Sequence, residues 1–150
     1  MKKKLHGKVL KLFTTKNDTD KTRINALHID VDENGILNDK FYNKNDQRAI
    51  LITSLQSYTM ASNKNINLSD GALGENILID INPYHLNAGD RLIIGNATLE
   101  ITQNCTLCKG LTTISPKLPK LLKNDRGIFA KVISGSVTIK TGDKVSIYNY

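Results

Sequence analysis

The stretch Arg91-Leu92-Ile93-Ile94-Gly95-Asn96-Ala97-Thr98-Leu99-Glu100-Ile101 decides the fold class. Two apolar-rich runs flank Gly-Asn, a pair suited to the positive φ of a two-residue turn, so the segment predicts an antiparallel β-hairpin. Toward the C-terminus, Ile128 to Ile133, Val137 to Ile139 and Val145 to Tyr148 are short apolar runs separated by Gly135-Ser136 and Gly142-Asp143. Toward the N-terminus, Val9, Leu10, Leu12 and Phe13 mark a strand. Leu27, Ile29 and Val31 alternate with His28 and Asp30 ahead of the turn Asp32-Glu33-Asn34-Gly35, a period-two pattern that places the apolar residues on one face. Ala49-Ile50-Leu51-Ile52 is continuously apolar and predicts a strand buried on both faces.

Helical signals are few. Thr53 or Ser54 is placed to cap a helix running through about Ser62, its hydroxyl accepting an orphan backbone N–H, with Leu55, Tyr58 and Thr59 on one face. Pro119 suits the first turn of a short helix within Pro116 to Lys123. Gly71-Ala72-Leu73-Gly74-Glu75-Asn76 leads into a strand from Ile77 to Ile81, which Pro83 ends. About eight short strands with two helical segments predict a mainly β (α+β) domain closed, or nearly closed, into a barrel, because closure removes exposed strand edges.

The 150 residues, 39% of them hydrophobic, form one ordinary domain, residues 1–150, large enough to hold a core without disulfides. The net charge of +7 comes from lysine: 17 of the 21 basic residues are Lys and four are Arg. Those lysines are scattered and aromatics make up 5% of the chain, whereas nucleic-acid sites cluster their cations among stacking aromatics. Nucleic acid is therefore not the expected partner, while an anionic small ligand suits the charge. No apolar run is long enough to span a membrane, and no apolar segment follows the charged start Met1-Lys2-Lys3-Lys4. The expectation is a cytoplasmic protein without a membrane partner.

Cys105-Thr106-Leu107-Cys108 is the most specific chemical feature. A structural zinc site needs two further ligands, and His6, His28 and His85 are widely spread. A redox dithiol wants a βαβ context with a helix N-terminus, where this sequence predicts a hairpin. Two cysteines packed as small hydrophobes are a further reading. The remaining one is a functional thiolate that ligates a soft metal or carries sulfur as a persulfide, its ionisation favoured by cations such as Lys109, Arg126 or Arg48.

Four blocks surround that segment. They are Gly35-Ile36-Leu37-Asn38-Asp39 with Gln47-Arg48-Ala49-Ile50-Leu51-Ile52; Gly71 to Ile77; Leu86 to Gly95 running on to Cys108; and Arg126-Gly127-Ile128-Phe129-Ala130-Lys131-Val132 ending in Gly142-Asp143. In order and spacing they resemble the MOSC domain family, named for the C-terminal part of molybdenum cofactor sulfurases. The resemblance implies a β-rich, barrel-like fold and a cysteine that binds the molybdenum of the pterin-based cofactor or handles sulfur for it.

By that resemblance, Cys108, followed by Gly110-Leu111, takes the metal-ligand or persulfide role, and Cys105 is a neighbouring or resolving thiol. Asn76 becomes a cofactor contact, its amide offering donors and an acceptor, and Glu75 can orient a basic side chain or accept from the pterin; the alternative is a polar-capped turn. Arg48 suits a bidentate phosphate contact, with a solvated strand-edge charge as the alternative. Arg126 is a further cofactor contact. Thr112 and Thr113 resemble the Thr-Thr of amidoxime-reducing relatives. A histidine common after the family's first block has no counterpart in Asn38-Asp39-Lys40-Phe41.

The implied activity is molybdenum-dependent reduction of N-hydroxylated compounds, or sulfur transfer, with a redox or cofactor-maturation protein as partner. The alternative is a non-catalytic module that senses a molybdenum species or a partner. No lysine stands out as a Schiff-base candidate, so pyridoxal phosphate is not expected.

Overall fold

A computed structural model describes residues 4–16, 19, 23–106 and 109–148. Their strands are β1 (Lys4–Thr15), β2 (Arg23–Ala26), β3 (His28–Asp32), β4 (Gly35–Ile36), β5 (Ile50–Ser54), β6 (Ile77–Ile79), β7 (Arg91–Ile94), β8 (Ala97–Asn104), β9 (Ile128–Val132), β10 (Val137–Lys140) and β11 (Lys144–Tyr148). The helices are α1 (Leu55–Asn63), α2 (Lys109–Ile114) and α3 (Leu118–Leu121), with a 3₁₀ turn over Asp46–Arg48.

The predicted hairpin is β7–β8, with Ile94 opposite Ala97. Gly95 supplies φ +58° at the first central position, where a type II′ turn needs glycine. From there the main sheet runs β11-β7-β8-β9-β5-β6-β1-β2, and a further β11–β1 pairing closes it into a barrel. The 12-residue β1 makes that closure possible. Its first part pairs with β11, its middle with β6 and its end with β2. β5 and β6 run parallel, which requires a crossover, and α1 lies in that connection. A smaller sheet, β10-β3-β4, stands beside the barrel.

Alternation fills the interior. Leu92, Ile94, Leu99, Ile101, Ile50, Ile52, Ile77, Ile79, Val145 and Ile147 form one buried cluster, and each such side chain contributes roughly 1.5–3 kcal/mol by leaving water. The outward positions of β5 and β6 are covered too. Leu78 packs on Tyr58, Ala61, Leu111, Leu118 and Leu122 from the three helices, while Leu51 meets Cys105 and Phe129. The run Ile50–Ser54 is accordingly buried throughout.

Some expectations change. Leu27 is 80% exposed, because it sits in the bend between β2 and β3 rather than in the strand. Ser54 does cap α1, accepting from the Gln56 N–H at 3.1 Å, but the buried face is Ser57, Tyr58 and Ala61, with Leu55 and Thr59 exposed. The described residues hold three α-helices and eleven strands, against the two helical segments and about eight strands that pattern alone implies. Among the described residues, no helix is long and apolar enough to cross a membrane.

Candidate functional site

A cavity of about 560 Å³ opens on the outer side of the barrel wall where β5 and β9 meet, within the roughly 300–1,000 Å³ common for small-molecule sites. Register explains its floor. Leu51 lies directly across from Phe129, and Cys105, just past β8, donates its backbone N–H to the Gly127 carbonyl at 3.0 Å. The three side chains form one apolar patch, with Cys105 only 2% exposed.

Cations make the rim. Arg23, Lys40, Arg48 and Arg126 all line the cavity, and no carboxylate lines it among the described residues. Lys40 and Phe41 lie on the connection between β4 and the 3₁₀ turn, which is stapled to the end of β1. The Lys40 N–H donates to the Thr15 carbonyl at 2.7 Å, and the buried Asp39 accepts from the Thr15 N–H at 2.8 Å.

Two of the arginines grip the same turn. Arg126 Nη1 donates to the Leu73 carbonyl at 2.7 Å, while Arg23 Nη2 donates to the Glu75 carbonyl and its Nη1 to Thr15 Oγ1 at 2.9 Å. Between those carbonyls stands Gly74 at φ +83°. Most L-residues avoid that conformation, so the turn that presents Leu73 and Glu75 to the two guanidiniums depends on glycine here. Arg23 Nε is buried and has no hydrogen-bond partner among the described residues. Burial pulls the Arg23 guanidinium below its ordinary value, and the charges of Glu75 and Asp39 push it back up.

Glu75 stands behind the cavity wall with no exposed surface. Its Oε2 accepts from Thr53 Oγ1 at 2.6 Å and from the Tyr58 hydroxyl, and its Oε1 has no partner among the described residues. Burial, then the charge of Glu75, push the Tyr58 phenol above the usual tyrosine range. Burial does the same to Tyr84, whose hydroxyl accepts from the Ser54 N–H at 2.7 Å and bonds Ser57 Oγ at 2.6 Å. Ser57 in turn donates to the Asp125 carbonyl, next to Arg126.

Asn76 ties three strands together. Its Oδ1 accepts from the Leu51 N–H at 3.0 Å and its Nδ2 donates to the Phe13 carbonyl at 3.2 Å, while its own N–H donates to Leu51 at 2.8 Å. The carboxamide thus extends the ladder where β6 begins between β5 and β1.

Of the residues singled out in the sequence, Arg48, Asn76, Cys105 and Arg126 come together around the cavity. Glu75 sits one layer behind them. Thr112 is exposed on α2 and is not among the described lining residues, although Gly110 of that helix is. Cys108 lies outside the described residues. Arg23 and Lys40 were missed by sequence reasoning. One signal was available for Arg23: in a chain with 17 Lys and four Arg, an arginine marks a position where the planar fork matters.

A family model described as the MOSC domain matches residues 38–146. Among solved structures, the YuaD protein from Bacillus subtilis superposes with a TM-score of 0.84 at 18% identity, covering 100% of both chains. YiiM from Escherichia coli gives a TM-score of 0.71 at 16% identity over 97% of this chain and 71% of its own. YiiM from Geobacillus stearothermophilus gives 0.70 at 16% identity, over 96% and 75%. No curated protein matches the chain.

Proposed function

The chain belongs to the MOSC domain family, and from that premise we propose that its cavity binds the molybdenum cofactor, the Cys105 to Cys108 segment supplying a thiolate to the metal or carrying sulfur as a persulfide. The observation that carries this reading is the cavity itself. A buried thiol on an apolar floor sits under a rim of four cations, a donor set that suits a ligand with an apolar ring system, a soft metal and an anionic tail.

Within that reading the chain's residues have separate tasks. Leu51, Phe129 and Leu73 exclude water from one side of the ligand, and Arg48 and Lys40 hold its charge at the rim. Asn76 fixes the wall. Cys108 is the ligand or carrier thiolate. The chain on both sides of it, Cys105 and Gly110, lines the cavity. When bound, the cofactor supplies two-electron redox chemistry at molybdenum, and the protein supplies orientation and charge. Reduction of N-hydroxylated compounds, with electrons from a redox partner in the cytoplasm, is the enzymatic form of this function; sulfur transfer to a maturation partner is the other.

The test is metal content. Wild type, Cys105→Ser and Cys108→Ser are expressed in a host that makes the cofactor, and molybdenum and pterin are measured per chain. Molybdenum is expected in the wild type and lost in Cys108→Ser. A wild type without molybdenum or pterin would end the reading. Turnover of benzamidoxime with a reductase system then separates the enzyme from the carrier.

A further inference from the structure

We propose that Phe41 is a specificity-determining residue of the cavity, an aromatic platform at its mouth that selects substrates presenting a flat, unsaturated ring. Within the cofactor reading, on which this rests, the cofactor fills the floor and Phe41 meets what arrives from solvent, so the residue sets the substrate class.

Exposure places the residue. Leu51, Leu73, Cys105 and Phe129, which line the cavity, are buried, whereas Phe41, which lines it too, is 48% exposed. Phe41 thus stands at the opening, between the cavity and solvent. The chain holds three Phe and no Trp, and the other two Phe, Phe13 and Phe129, are buried. An exposed apolar side chain is ordinary on a protein surface. This one differs because a cavity ends at it and because its backbone is fixed.

Hydrogen bonds on both sides hold the ring in place. The Phe41 N–H donates to Asp39 Oδ2 at 3.1 Å, and the buried Asp39 also accepts from the Thr15 N–H of β1 at 2.8 Å. Beyond Phe41, the Tyr42 hydroxyl donates to Asp32 Oδ2 of β3 at 2.6 Å, and the Asn43 N–H donates to the Asn34 carbonyl at 2.8 Å. Asn38 and Asn43, on either side, take φ +67° and +56°, a left-handed conformation in which asparagine is enriched over most other side chains. The loop is thereby stapled to β1, to β3 and to the turn after β3. A surface arranged before its ligand arrives loses less freedom on binding.

The surroundings of the ring select the ligand. Lys40 Nζ lies over the Phe41 ring, 4.8 Å from its centre, so a cation holds the ring while nearly half of the residue stays open to a partner. An open phenyl surface is met best by a second ring, stacked with an offset or edge to face, which gains more than the apolar area it covers. A saturated group of the same size gains the area alone. Four cations and no carboxylate line the cavity among the described residues, so a cationic substrate is opposed. The class narrows to neutral or anionic aryl compounds.

Calorimetric titration of the purified protein, without reductant, with benzamidoxime and with cyclohexanecarboxamidoxime tests this, because the two share an N-hydroxylated head and differ in the flatness of the ring. Wild type is expected to bind the aryl compound about two- to tenfold more tightly, the usual worth of an aromatic pair beyond its area. Phe41→Leu, which keeps an apolar side chain and loses the ring, should bind the two equally, and Phe41→Tyr should keep the preference. Upfield-shifted ring protons of bound benzamidoxime, present with wild type and absent with Phe41→Leu, are a signature that a merely structural role would not give. Thermal melts identify a variant that does not fold, and Phe41→Met then takes the place of Phe41→Leu with the same expectation. Equal affinity of wild type for the two compounds, no binding of either, or a preference that survives in folded Phe41→Leu would overturn the proposal. The molybdenum content of the same preparations separates it from the cofactor reading. Molybdenum with no aryl preference ends the platform alone, and an aryl preference that depends on Phe41 in a protein that never acquires molybdenum upholds the platform while ending the cofactor reading.

Discussion

The β7–β8 wall of the barrel and the wall of the cavity are built on opposite principles. In β7–β8, Leu92, Ile94, Ala97, Leu99 and Ile101 point into the core while Arg91, Ile93, Thr98 and Glu100 face outward, and the two strands pair in unbroken register. The cavity wall draws on β1, β2, the turn around Gly74, the end of β8 and the start of β9, and in and behind it Arg23 Nε and Glu75 Oε1 have no hydrogen-bond partner among the described residues. A buried polar atom without a partner costs about 1–3 kcal/mol. One wall is therefore built from local pairing and apolar burial, and the other gathers polar groups from distant parts of the chain at a cost in stability.

Breaking the first wall should have the largest effect. Leu99→Ala, at a fully buried position, is expected to lower stability by about 2–5 kcal/mol. Urea unfolding measures that loss, while the molybdenum bound per folded chain should stay at the wild-type level. A large change in that content would mean that the two walls are not separable.

The layer behind the cavity has a pH signature. Tyr58 and Tyr84 ionise at higher pH in the folded protein than in the unfolded chain. Their contribution is thus fully present below about pH 10, the ordinary tyrosine value, and is lost as pH rises beyond it, because there the unfolded chain binds fewer protons than the folded one. Each phenol that stays protonated only when folded adds about 1.4 kcal/mol of lost stability per pH unit. Unfolding free energies of wild type, Tyr58→Phe and Tyr84→Phe at pH 8 and pH 11 should show a shallower fall in each variant. Equal falls in all three would contradict this account.

The smallest effect belongs to the start of α1. Ser54→Ala removes the cap of α1 and should cost about 1 kcal/mol by urea unfolding. Since α1 carries Ser57 and Tyr58 into the layer around Glu75, any accompanying loss of bound molybdenum per folded chain would show how strongly that layer supports the site.

The contrast also explains what the sequence made legible. The hairpin was readable because its information is local: a two-residue period and a glycine where φ must be positive. The N-cap at Ser54 was readable for the same reason, but the inward face of α1 was not. Its apolar Leu55 stays in solvent while Ser57 turns inward to meet Tyr84 and Asp125, partners that lie 27 and 68 residues away in sequence. α2 escaped notice because Gly110, Thr112 and Thr113 are weak helix formers.

Arg48, Cys105 and Arg126 were found through motifs, and the structure puts them around one cavity. Arg23 was invisible. Arg23-Ile24-Asn25-Ala26 has no core-facing alternation, with burial half, exposed, exposed, half. Its meaning comes from pairing with β1 and from a carbonyl 52 residues away.

The closure of the barrel has a consequence for synthesis. Lys4 to Lys8 are made well before their partners, Lys144 to Tyr148. At a ribosome's pace of roughly 5–20 residues per second, the leading strand waits on the order of ten seconds for the strand that covers it. During that interval an unpaired strand edge carrying Leu5 is exposed to other nascent chains. The same pairing makes the fold rich in contacts between distant residues, a topology that folds slowly. Chaperone demand in the cell should therefore track the speed of translation through the whole stretch between the two strands.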